Sequence, residues 1–204
     1  MLETLIEEIV KDDQVHAKWL NSLSYMENCG ARKISKFEHA VDVDIMVLKH
    51  AAEEHRHAYY LKKLIKKIDE TACPTYNDKE LLGLFSTKHY LGKLDIFTSR
   101  YLRSKLNVSG DKLKYLAYLL VTYSIEVRAD GLYPVYQKVL KSIQSKISVY
   151  TIIKEEEGHL EEMIASLDRY LPNWQAHAEV VLAYEQELHD IWVSEIHAQV
   201  KNSN

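Results

Sequence analysis

Glu27, Glu54, His57, Glu126, Glu156 and His159 all fall on the apolar stripes of segments with helical period. A charged side chain in a core is costly unless it is paired or coordinates a metal. Four of the six form two copies of one pattern, Glu54-His55-Arg56-His57 and Glu156-Glu157-Gly158-His159, each of them Glu-x-x-His. A spacing of three residues puts both side chains on one helical face, where both reach a single point between helices. A lone Glu-x-x-His says little in a chain with 30 acidic side chains and ten histidines. Two copies, each preceded by a core-facing glutamate at a similar distance, say much more. Without a cation the four carboxylates repel one another. Two divalent ions of the iron type balance their four negative charges, and the histidines complete the coordination. The competing reading is a plain helical bundle whose core-facing acids snorkel or pair with residues such as Arg128.

The elements that must position these residues follow from the same periodicity. A first apolar stripe runs Leu5, Ile9, His16, Leu20, Leu23, Glu27, Ala31, Ile34, and breaks at His39-Ala40-Val41-Asp42-Val43-Asp44. Asp42 or Asp44 is placed to cap a second helix carrying Val47, His50, Glu54, His57, Leu61, Leu64 and Ile68. A shorter helix is expected over about 86–105, and a long one from Asp111 to about Ser142, with a kink or local break at Pro134. The next begins near Ser148 and ends at Pro172-Asn173, and a last amphipathic helix covers about 174–200. Glu27 precedes Glu54 by 27 residues and Glu126 precedes Glu156 by 30, so the midpoints fall near residues 40 and 141. In an antiparallel pair, residues at one height are equidistant from the turn. Each half, 10–68 and 111–170, therefore reads as a hairpin offering one lone Glu and one Glu-x-x-His at matching height. A second helix of about 26 residues is roughly 39 Å long, a distance that the intervening 69–110, with its own helix, is able to span.

This pattern resembles the ferritin-like di-iron carboxylate superfamily, whose bundle takes one Glu from each of two helices and Glu-x-x-His from the other two. The resemblance covers about residues 10–170, and all six positions are present. It implies an all-α, ferritin-like four-helix bundle with a long helical crossover and an extra C-terminal helix, built as a single domain over 1–204. It also implies two iron ions, with manganese as the alternative, Glu54 and Glu156 bridging them or sitting between them, Glu27 and Glu126 terminal, and one histidine on each. The function implied is a non-haem di-metal oxidoreductase that activates O2 for an oxidation of a small organic substrate, with an electron donor if it is an oxygenase. The alternative is a non-catalytic metal-binding or iron-storage bundle with ferroxidase behaviour. The chain departs from several branches. It has no four-cysteine iron–sulfur module, so it is not a full rubrerythrin, and it is far shorter than the ribonucleotide reductase radical subunit or the multicomponent monooxygenase hydroxylases. Its crossover and terminal helices exceed what a minimal ferritin cage subunit needs, which favours an oxidase over storage.

Composition agrees with helices. Average usage would place roughly 24 glycines and prolines in a chain this long, yet it has six and three. A formal charge of −4 is far from the basic balance of a dedicated nucleic-acid binder. No apolar run approaches the ~18 residues of a membrane span, and the acidic start Met1-Leu2-Glu3-Thr4-Leu5-Ile6-Glu7-Glu8 is unlike a signal peptide. A cytoplasmic chain, able to pair as a homodimer, is the expectation. Cys29 and Cys73 make neither a disulfide framework nor a zinc site. Glu53, Glu155 and Glu157 point about 100° away from the neighbouring motif residues and read as solvated. His50 reads chiefly as a hydrogen-bonded core histidine, with a cavity-lining role as the alternative. Asp130 offers a further ligand, a partner that orients a histidine, or a mate for Arg128 or Arg56. Tyr123 and Tyr133, which flank Glu126, read mainly as packing residues, with a hydrogen bond or electron donation as the alternatives. Glu185, His189, Glu195 and His197 on the last helix read only weakly as a second metal site.

Overall fold

The computed structural model describes residues 2–38 and 41–203; the expected break at His39-Ala40 and the Glu157 side chain lie outside the described residues. The described residues form seven α-helices and no strand: α1 (Leu2–Ile9), α2 (Asp13–Phe37), α3 (Ile45–Ile65), α4 (Leu84–Leu106), α5 (Gly110–Ser142), α6 (Tyr150–Tyr170) and α7 (Trp174–Ser203). None of these helices is long and apolar enough to cross a membrane.

The first stripe is divided between two helices rather than carried by one. Asp12 interrupts it, its carboxylate accepting from Gln14 N at 2.8 Å and Val15 N at 2.9 Å. Aspartate favours this cap because it satisfies amide groups that the first turn leaves unpaired. Leu5, Ile6 and Ile9 still reach the core, because α1 packs on α5 and α7. Asp44 caps α3 through Met46 N at 2.9 Å. Helix α5 runs unbroken through Pro134, contrary to the expected break. Proline removes one amide donor from the carbonyl four residues earlier, and that residue, Asp130, is exposed, so water is available to it.

Pairwise contacts give the directions. Ser24 Oγ donates to Ala58 O, so α2 and α3 run antiparallel and close together. Leu82, just before α4, lies beside Ser22, and Asp95 on α4 lies beside Lys33, so this helix climbs parallel to α2. It carries the chain from the start of α2 toward the end of α2, and its 23 residues span roughly 34 Å. Helix α5 then descends against α2, with His16 against Tyr136 and Phe37 against Tyr118. Helix α7 lies antiparallel to α4, joined through Gly83 to Gln199, Ser86 to Glu195 and Tyr101 to His177. The α5–α6 hairpin differs from the spacing argument in one respect. Residue 141 lies within the last turn of α5, and the connector 143–149 doubles back along that helix. Gln137 Oε1 accepts from Ser148 Oγ at 3.1 Å and Val149 N at 2.7 Å, so α6 begins level with a point more than a turn before the end of α5. This return restores Glu126 and Glu156 to one height.

Candidate metal centre

Four helices each present carboxylate or imidazole at the level midway along the bundle. Helix α2 supplies Glu27, α3 supplies Glu54 and His57, α5 supplies Glu126, and α6 supplies Glu156 and His159. Glu54, Glu126 and Glu156 are 6%, 3% and 7% exposed and both histidines 1%, whereas Glu27 is half-buried. Among the described residues these side chains form two groups. Glu54, Glu126, Glu156 and His159 make one; Glu27, Glu54 and His57 make the other; in each, one ligand atom per residue lies within 4.8 Å of the others. Glu54 belongs to both groups. Glu156 is also central: its Oε1 stands 2.9 Å from His57 Nδ1 and its Oε2 3.0 Å from His159 Nδ1. Tyr133, fully within the core, donates to Glu27 Oε1.

The histidines are held in a reciprocal arrangement. His57 Nε2 lies 2.8 Å from Glu155 Oε2, and His159 Nε2 lies 2.6 Å from Glu53 Oε2. Each imidazole is thus gripped by the glutamate that precedes the opposite helix's motif. A carboxylate on Nε2 fixes that nitrogen as the donor and leaves Nδ1 to face the cluster. Arg56 closes the outer side, 2.9 Å from Glu155 and 3.5 Å from Glu53. Glu53 and Glu155 are therefore not simply solvated, as their azimuth alone suggests. Helices α3 and α6 run antiparallel with this face between them, so a side chain 100° off the motif meets the other helix. The seam continues with His50, whose Nε2 is 2.7 Å from Glu162 Oε2 and whose Nδ1 is 3.3 Å from Tyr118 Oη. That is the hydrogen-bonded core histidine of the sequence reading.

Electrostatics follow from burial. Desolvation, and then the charge of Glu27, raises the Glu54 carboxyl well above the ordinary range. Desolvation and the Glu156 charge do the same to Glu126. Burial also opposes ionisation of Glu156, but hydrogen bonds with Glu126, His159 and His57 prevail and hold it low. Burial would lower His159, but Glu126 and Glu156 outweigh it and push the imidazole up to about 11. His57 is raised for the same kind of reason, with burial overcome by Glu156 and the Glu27 charge. Burial and mutual repulsion thus oppose ionisation of Glu54 and Glu126 in the ion-free cluster, while the surrounding carboxylates favour protonated histidines.

The donor set fits a pair of divalent ions. It is made of carboxylate and imidazole with no thiolate, which suits iron or manganese. Ligand bonds of ~2 Å allow donor atoms about 4 Å apart around one ion, close to the observed grouping. His57 Nδ1 is buried among the carboxylates, 2.9 Å from Glu156 Oε1 without a well-aligned hydrogen bond, on the side of the ring that faces the cluster.

Other expectations resolve differently. Asp130 is exposed and stands outside the cluster. Tyr123 packs edge-on against Trp174, ring centroids 5.2 Å apart. Glu185 is taken by Arg128 in a two-pronged pair at 2.9 and 2.7 Å and by the Tyr90 hydroxyl, and Glu195 accepts from Ser86 N, so the last helix gathers no second metal group among the described residues. Cys29 and Cys73 are free thiols. Beside the cluster lies a cavity of about 100 Å³, reached by Glu27, Glu54 and Glu126 and walled by α2, α4, α5 and α7. No family model matches the chain, and comparison with curated proteins and with solved structures returns no match.

Proposed function

We propose that this chain is a ferritin-like di-iron carboxylate oxidoreductase, with manganese as the alternative metal, that uses O2 to oxidise a small organic molecule. The observation that carries the reading is the pair of donor groups joined through Glu54 and set against an apolar cavity. Glu27, Glu54 and His57 would hold one ion, and Glu54, Glu126, Glu156 and His159 the other. Two ferrous ions, when bound, supply two electrons to O2 at one place. The chain's own residues prepare that place. Glu53 and Glu155 hold the Nε2 protons of the two histidines, which fixes both rings. Tyr133 holds Glu27 Oε1 by its hydroxyl proton. Glu54 and Glu126 give up their protons as a cation arrives, and the apolar walls keep bulk water out.

Anaerobic loading followed by elemental analysis and an oxygen electrode tests the reading. About two iron ions per chain are expected, the number the four carboxylates balance, together with O2 uptake faster than free ferrous ion in the same buffer. Glu54→Ala should lose both. Uptake no faster than free ferrous ion, with two ions still bound, leaves passive binding as the function; a large hollow assembly on gel filtration would then make it storage.

A further inference from the structure

We propose that the cavity beside the carboxylates takes an uncharged, largely apolar small molecule whose hydroxyl or carbonyl group is held by His189. That this molecule is the substrate rests on the di-metal reading; that it binds does not.

The argument starts from an imidazole with nothing to bond. His189 on α7 is 6% exposed, lines the cavity, and has no hydrogen-bond partner on either ring nitrogen. The nearest carboxylate oxygen, on Asp190, is 3.8 Å from Nδ1, beyond hydrogen-bonding reach. Buried polar nitrogens are nearly always satisfied, and leaving one unsatisfied is costly. Both nitrogens of this ring are idle where a cavity adjoins it. A ligand able to donate or accept one hydrogen bond satisfies it.

The rest of the wall sets the character of the ligand. Leu23, Met26, Leu91, Val121, Ile125 and Trp192 supply apolar surface. Charged groups reach the wall too, but those outside the carboxylate cluster already have partners. Arg128 is engaged by Glu185 and Gln186, and Lys33 by Asp95. Burial, followed by the charge of Arg128, lowers the His189 imidazole and keeps it neutral. A carboxylate entering here would find no free cation and would be desolvated without return, whereas an ammonium would be drawn to Glu27, Glu54 and Glu126 rather than to His189. A neutral hydroxyl or carbonyl loses little and gains His189. Geometry sets the orientation. His189 lies on α7, whereas Glu54 lies on α3, and the cavity extends between them. A ligand held at His189 therefore turns its apolar body toward the carboxylates.

Binding to the full chain, read by tryptophan fluorescence and by calorimetry at pH 7, tests this with 1-octanol, 2-naphthol and octanoate. The two neutral alcohols should bind at least about tenfold more tightly than octanoate, since an unpaired buried charge costs more than one neutral hydrogen bond. His189→Leu should weaken both alcohols by about 3- to 10-fold, and His189→Gln, which keeps a donor and an acceptor, should recover most of that. Ala129→Phe, which fills the cavity from a half-buried position, should weaken every probe while metal content stays at the wild-type value. Alcohols that fail to bind, octanoate that binds as tightly, or an alcohol affinity untouched by His189→Leu in a folded protein would overturn the proposal. Should the predicted ranking appear in a protein that takes up no metal, the ligand site stands and the di-metal reading falls.

Discussion

Replacing Glu126 by Gln should stabilise the ion-free protein and destabilise the loaded one. Glu126 is 3% exposed and its carboxyl is raised by burial and by Glu156. A carboxyl raised in the folded state favours folding fully only below its unfolded pKa, near 4.5. That advantage declines as pH climbs toward the folded value. At pH 7 the cost to wild type therefore reaches at most about 3 kcal/mol, from ~1.4 kcal/mol per pH unit over the ordinary carboxyl value. Glutamine imitates the protonated group and escapes that cost. Metal acts oppositely, because only the folded chain assembles the site. At a thousand-fold excess over Kd it adds about 4 kcal/mol to wild type, roughly ten degrees of melting temperature for a chain this size. The amide is a poor metal ligand, so the variant should gain much less. Melting curves in chelator and in ferrous or manganous ion should cross: the variant higher by up to about seven degrees without metal, wild type higher with it. At pH 4 in chelator the difference should vanish. If metal shifts neither protein, these six residues are not a metal site; if Glu126→Gln gains nothing in chelator at pH 7, the repulsion between buried carboxylates is not what the geometry implies.

Elemental analysis should give about two ions per chain in wild type by the charge balance above, a marked loss in His159→Ala, and no change in Glu161→Ala, whose side chain is exposed. Glu155→Gln should lower metal affinity by about 10- to 100-fold, the usual effect of removing the carboxylate behind a metal-bound histidine, with helix content unchanged by circular dichroism. His16, whose ring shares a 2.5 Å hydrogen bond with Tyr136, is lowered by burial to about 4. The unfolded chain binds the extra proton between that value and 6.5, so up to about 3 kcal/mol of stability should drain away as pH falls through this window. Denaturant titrations of wild type and His16→Gln between pH 7 and 4 check this, and parallel pH profiles would refute it.

The sequence by itself carried the helices, their amphipathic faces and the six residues of the candidate centre, because helical period is a local property. A residue three or four positions away lies on the same face whatever surrounds the helix. The matched spacings also implied that the two motifs stand at one height. Tertiary structure decided what lies across each face. Glu53 and Glu155 reach the histidines only because α3 and α6 pack antiparallel along that seam, and no spacing within one helix contains that angle. The register of the second hairpin depended on the return of 143–149 along α5, which Gln137 holds. Asp12 divided a stripe that hydrophobic period alone made continuous, because a cap competes with the helix through side-chain hydrogen bonds that period does not register. Pro134 left α5 whole because the bond it removes lies toward water. In the sequence, His189 reads only weakly as part of a second metal site with Glu185, Glu195 and His197. Only the packing of α7 against α4 and α5 buried it, stripped it of partners and set it at a cavity, since burial and satisfaction belong to neighbours in space rather than to neighbours in the chain.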